Sequence, residues 1–126
     1  MLAAHAAIAT VAVKDLAAAK RFYGDTLGLT QVDAEGEEAV TFATGTGKLI
    51  VYRSTFAGTN QATAVNWNVG GEVDAITREL ASKGVTFEHY DLPGLAREGD
   101  VHVAPGMRVS WFKDPDGNIH SLMGGS

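Results

Sequence analysis

Hydrophobic and polar residues alternate along this chain in two repeating patterns. Short apolar runs of strand length appear near 6–13, 29–34, 37–43 and 48–53, and again near 62–69, 85–89, 106–113 and 118–123. Between the first two runs of each set the period changes to that of a helix. In VKDLAAAKRFYGDTLGLT the residues Leu16, Ala19, Phe22, Tyr23 and Leu27 form one apolar stripe, Asp15 stands where an N-cap belongs, and Gly28 supplies a left-handed stop. In VGGEVDAITRELASKGVT the stripe is Val73, Ile76 and Leu80, and the stop is Gly84. Phe22 and Tyr23 belong to the core on this reading.

Val13 and Val69 open these segments, and in both a glycine follows fifteen residues later, so the halves are in register at an offset of 56. The order predicted is βαβββ, twice. Phe42 and Gly47 correspond to Phe112 and Gly117 at an offset of 70, which leaves 14 additional residues in the second half. They fall in EHYDLPGLAREGDVHVAPG, predicted as a long loop over 89–107. Such a connection is a lid, a binding loop or a mobile insertion. Leu92, Leu95, Val101 and Val103 give it something to bury, and His89, Arg97 and His102 give it chemistry.

Length and composition then bound the possibilities. At 126 residues, a single domain of two modules, about 1–55 and 61–126, buries roughly two-thirds of its unfolded surface. The absence of cysteine excludes disulfides, thiolate nucleophiles and thiolate metal sites. A net charge of −5 argues against nucleic acid and anionic membrane as partners. The N-terminal MLAAHAAIATVAV lacks a basic flank and is too short to span a bilayer, so it reads as the first strand of a cytoplasmic protein. The terminal GGS reads as a frayed tail.

Strand-KD-helix with FYGDTLGL, a second strand and helix ending in KGV, and then WFKDPDGN together resemble the vicinal oxygen chelate superfamily, the glyoxalase, bleomycin-resistance and extradiol dioxygenase group. The resemblance covers nearly the whole chain. It implies an α+β fold in which two βαβββ modules pair into a curved, barrel-like mixed sheet around a central cavity. It also implies a homodimer, for which the apolar N-terminal strand is a plausible contact. Family enzymes place a divalent metal in the cavity, with His or Glu ligands from the first and last strands of each module. Transferred position by position, those ligands fall on Ile8, Val51, Ala64 and Ser121. Side chains without strong N or O donors do not hold a divalent metal, so no metal and no other cofactor is expected. A slip of one residue brings in Ala7, Ala9, Ile50, Tyr52, Thr63, Val65 and His120, of which only His120 is read as able to ligate.

If those four positions face a cavity, alternation adds Thr10, Ala12, Leu49, Arg53, Asn66, Asn68, Ile119 and Met123 to the same face. It sends Val11, Val13, Ile50, Tyr52, Val65, Trp67 and Leu122 beneath the helices, and if Phe112 anchors the core, Trp111 faces the cavity. Thr10, Arg53, Asn66, Asn68, Trp111, Ser121 and Met123 are therefore the candidate ligand-binding residues. Asparagines that face solvent and an Arg53 that is merely a solvated charge are the plain alternatives. The expectation is a metal-independent protein that binds and sequesters a small apolar or amphipathic molecule. The rival is a superfamily enzyme of lyase, isomerase or dioxygenase-like type that draws unconventional acid or base groups, His102 or His89, from the 89–107 loop.

Overall fold

The computed structural model describes residues 1–125, and Ser126, the last residue of the expected tail, lies outside the described residues. The α+β class is present, arranged as two separate sheets, neither of which closes into a barrel; the first unit has the expected βαβββ order, and the second carries two more strands after its helix than expected. One compact unit comprises Met1–Gln61 with Pro115–Asn118, and the other Ala62–Asp114 with the chain from Ile119 onward. No helix among the described residues is long and apolar enough to cross a membrane.

In the first unit the strands are β1 (Ala9–Val13), β2 (Thr30–Glu35), β3 (Ala39–Thr44) and β4 (Gly47–Arg53), in the order β1-β4-β3-β2. β1 and β4 run parallel, and the other neighbours are antiparallel. Helix α1 (Leu16–Lys20) is capped by Asp15, whose carboxylate accepts the Ala18 N–H at 3.1 Å. It continues as a π-helical turn over Arg21–Thr26, which the α-helical expectation did not include. The turn still delivers Tyr23 to the core, fully buried and 6.0 Å from the Phe42 ring. Gly28, at φ 75°, stops the segment as expected.

The expected first strand is shorter than its apolar run. Leu2–Ala4 form a 3-10 turn, and Ile8 lies ahead of β1 and is 44% exposed. Alanine favours a pleated surface less than branched residues do, and the run ahead of β1 is mostly alanine, so apolarity alone does not make it a strand.

The second unit has β5 (Thr63–Asn68), α2 (Val73–Ser82), β6 (Phe87–Glu88), β7 (Ala96–Glu98), β8 (Val101–Ala104), β9 (Met107–Lys113) and β10 (Ile119–Gly124). The order is β5-β10-β9-β8-β7, with β6 also on β9. β5 and β10 are parallel. The segment read as a long loop over 89–107 contains two strands, β7 and β8, in its second part. β7 and β8 form an antiparallel ribbon, and β8 pairs with the start of β9 while β6 pairs with its end. The period-2 pattern of Val101 and Val103 carried this signal, diluted by the surrounding glycines.

Direct pairs in a sheet share a face. Val65, His120, Phe112 and Phe87 therefore form one row across the second sheet, and Trp67, Leu122 and Ser110 the next. This face carries α2, because Thr77 bonds Ser110 hydroxyl to hydroxyl at 2.9 Å. Gly84, at φ 93°, stops α2, and Val85 N–H reaches back to the Leu80 carbonyl at 3.1 Å.

Residues Pro115–Asn118 of the DPDGN turn after β9 belong to the first unit. Asp116 accepts the Lys14 N–H at 3.1 Å, and Asn118 donates its side-chain amide to the Ala12 carbonyl at 2.7 Å. These residues tie the turn to the end of β1, which accounts for Asp116 and Asn118 without chemistry.

Candidate functional site

The face of the second sheet opposite α2 carries most of the candidates. One row across it reads Asn66, Ser121, Trp111 and Glu88, and the next reads Asn68, Met123, Val109, His102 and Arg97. Five expected ligand-binding residues, Asn66, Asn68, Trp111, Ser121 and Met123, thus share one face. Asn66 is held at both ends of its amide: Ser121 Oγ donates to Oδ1 at 2.7 Å, and Nδ2 lies 2.9 Å from Met123 Sδ. Asn68 accepts the Gly70 N–H at 3.4 Å, helping to shape the turn that leads into α2.

His102, expected on a loop, is a β8 residue and is buried beside Trp111, with ring centroids 4.8 Å apart and edge-to-face geometry. Its Nε2 accepts the Tyr90 N–H at 2.9 Å, which puts the neutral ring's proton on Nδ1. Nδ1 is buried without a hydrogen-bond partner. Burial lowers the His102 pKa, and the nearby Arg97 guanidinium adds to this. Tyr90, absent from the candidate set, completes an aromatic corner, its ring 5.0 Å from that of Trp111. Its signal in the sequence, one aromatic in a polar stretch, had no period to place it.

His89 is locked rather than poised. Its Nε2 lies 2.8 Å from Asp100, and its Nδ1 meets the Arg97 guanidinium. A guanidinium only donates, so Nδ1 is the acceptor and the proton sits on Nε2, toward Asp100. His120 faces α2. It accepts the Trp67 indole N–H at 3.0 Å, stacks on Phe112 at 4.9 Å, and is fully buried. Burial depresses its pKa to about 4, with Asp114 opposing.

In the first unit the expected faces are corrected. Val51 pairs with Val11, and Arg53 with Val13, so both lie on the face with the buried core. Ile50 and Tyr52 pair instead with Thr10 and Ala12 on the other face. The face was read one residue out along β4, where apolar residues stand on both sides and alternation gives no direction. Thr10 is exposed and bonds the Ile8 carbonyl at 3.2 Å. Arg53 stands at the strand end, half exposed, 3.7 Å from Glu38.

The donor chemistry does not fit a divalent metal at the four family positions. Ile8 precedes β1, Val51 is core, Ala64 falls at the bulge where β5 pairs with Ile119 and His120, and the Ser121 hydroxyl is committed to Asn66. Among the described residues no group of three His, Asp, Glu or Cys side chains is placed to hold a metal ion.

The family model described as Glyoxalase/Bleomycin resistance protein/Dioxygenase superfamily matches residues 3–121. The chain belongs to this superfamily. Among curated proteins no sequence matches this superfamily member. Solved structures share its fold at low identity. A lactoylglutathione lyase from Agrobacterium tumefaciens is 20% identical with a TM-score of 0.72, covering 96% of this chain and 93% of its own. The fosfomycin resistance protein FosX from Listeria monocytogenes, solved with Mn(II) and sulfate, is 18% identical with a TM-score of 0.73, covering 100% and 93%. An integron cassette protein from V. cholerae is 18% identical with a TM-score of 0.66, covering 97% and 95%.

Proposed function

We propose that this glyoxalase-superfamily chain is a metal-independent binding protein that holds a small apolar or amphipathic molecule on the sheet face opposite α2. The observation that carries the reading is the Asn66–Ser121–Trp111 row. Where the family's carboxylate would stand, a serine hydroxyl instead orients an asparagine amide beside an indole and a thioether. Apolar surface with a few oriented neutral hydrogen-bonding groups suits an uncharged ligand, and indole faces favour flat ones. The acid–base alternative has less support. Both His89 nitrogens are engaged, and His102 is 1% exposed.

Elemental analysis of the purified protein, with thermal shifts in divalent metals, tests the metal-independent part. The expected result is no stoichiometric metal and no metal-dependent stabilisation. A tightly bound metal required for ligand binding would sink the proposal. Tryptophan-fluorescence screening of flat neutral compounds tests the face. Quenching should survive in the parent chain and vanish in Trp111→Ala. A homodimer is part of the same reading, and a light-scattering mass near that of one chain would remove it.

A further inference from the structure

The end of the parallel pair β1/β4 carries chemistry that the sheet-face reading does not use. The two strands run in the same direction and stop together, Val13 opposite Arg53. The segments that follow them, Lys14 on one side and Ser54–Thr55 on the other, therefore leave the sheet at one edge. The carboxyl ends of parallel strands are where open α/β sheets form ligand crevices, because the departing loops diverge there. Here the crevice has a volume of about 450 Å³ and is lined by Lys14, Glu38, Arg53, Ser54 and Thr55. A second concavity of about 350 Å³ shares Lys14 and Arg53 and adds Lys20 of α1 and Glu37.

The backbone of this rim is tied down while its side chains stay available. Ser54 N–H bonds the Val13 carbonyl at 3.0 Å, and Arg53 N–H bonds the Glu38 carbonyl at 2.8 Å. Lys14 N–H is held by Asp116 at 3.1 Å. Ser54 Oγ accepts the Phe56 N–H at 3.1 Å, which leaves its own proton free to donate. Of the acids nearby, Asp15 is committed to capping α1. Glu38 approaches Arg53 only to 3.7 Å, with the two side chains 74% and 49% exposed. Such a pair is weak in water, whereas an oxyanion can take the guanidinium in a bidentate contact. Two cations, Lys14 and Arg53, on one crevice also run against a chain of net charge −5.

We propose that this crevice is a second binding site, for a small oxyanion-bearing molecule, a carboxylate or a phosphate. Arg53 and Lys14 hold the oxyanion, the Ser54 and Thr55 hydroxyls donate to it, and Glu38 is the counter-ion it displaces. The site lies within the first unit and does not depend on the sheet-face ligand.

The test is a titration of the full chain, followed by backbone and arginine side-chain NMR, with inorganic phosphate and with acetate, against sodium chloride at equal ionic strength. Saturable shifts are expected at Lys14, Arg53, Ser54 and Thr55. Tighter phosphate binding identifies a phosphate site, and tighter acetate binding a carboxylate site. Arg53→Gln should weaken binding about tenfold, the size of one charge-assisted hydrogen bond. Glu38→Gln should tighten it, because the competing carboxylate is gone. Both residues are exposed, and unchanged spectra elsewhere establish that the variants fold. Shifts matched by chloride, unchanged affinity in Arg53→Gln, or weaker binding in Glu38→Gln would each overturn the proposal.

Discussion

His120 shows how one residue can look like chemistry and serve as structure. Next to the position of a family ligand, it was the only neighbour read as able to bind a metal. In the fold it is an acceptor for the Trp67 indole and a stacking partner for Phe112. Protonation would remove its acceptor and bury a charge. Its pKa falls from the ordinary 6.5 to about 4 in the folded state, so below pH 6.5 the unfolded chain binds the extra proton first. This contribution to stability is fully present above pH 6.5 and is lost as pH falls toward 4, by on the order of 3 kcal/mol in total. Urea unfolding at pH 7 and pH 4.5 measures it, and His120→Gln should flatten that part of the profile. Gly124 makes a second prediction at this scale. A Cβ there would stand 1.8 Å from the Gly70 carbonyl oxygen, a backbone atom that cannot swing away. Gly124→Ala should cost about 2 kcal/mol or more, read as a lower urea midpoint.

Among the elements, the β7–β8 ribbon departs furthest from its sequence reading. Glycines and charges spread over 89–107 suggest a loop, but β7 and β8 pair with each other and β8 with β9, which satisfies backbone groups over 96–104. Arg108 fastens it, reaching Asp74 on α2 at 3.0 Å and Glu98 on β7 at 3.1 Å. Arg108→Leu should leave the core intact while amides over 96–104 exchange several-fold faster. Hydrogen exchange resolved by residue checks this, and a uniform rise across the second unit would contradict it. The Thr77–Ser110 pair couples α2 to β9, and both side chains are buried. A double-mutant cycle with Thr77→Val and Ser110→Ala should give a coupling of about 1 kcal/mol.

At the scale of the whole molecule, the DPDGN turn connects β9 to β10 while its residues Pro115–Asn118 belong to the first unit. Asn118 makes that placement specific through the Ala12 carbonyl. Asn118→Ala should lower stability by about 1–2 kcal/mol, because that carbonyl loses its partner and the Asn118 site is nearly buried. Denaturant unfolding measures the loss, and Asn118→Asp, which cannot donate when ionised, should not restore it.

The sequence by itself determined the βαβββ order of the first unit, the two glycine stops, the Asp15 cap, and the shared face of Asn66, Asn68, Trp111, Ser121 and Met123, and its motifs carried the resemblance to the superfamily. Apart from the superfamily, which rests on resemblance, each of these follows from local chemistry: a period, a positive φ, a cap, or alternation along strands whose polar side is unambiguous. Tertiary structure decided the rest. Which face of β4 is core could not be read from GKLIVYR, because apolar residues occupy both parities and only pairing with β1 breaks the tie. The ribbon's strands, the burial of His102 beside Tyr90 and Trp111, and the crevice joining Lys14 to Arg53 depend on segments far apart in sequence. Contacts of that kind are set by packing, and no local pattern encodes them.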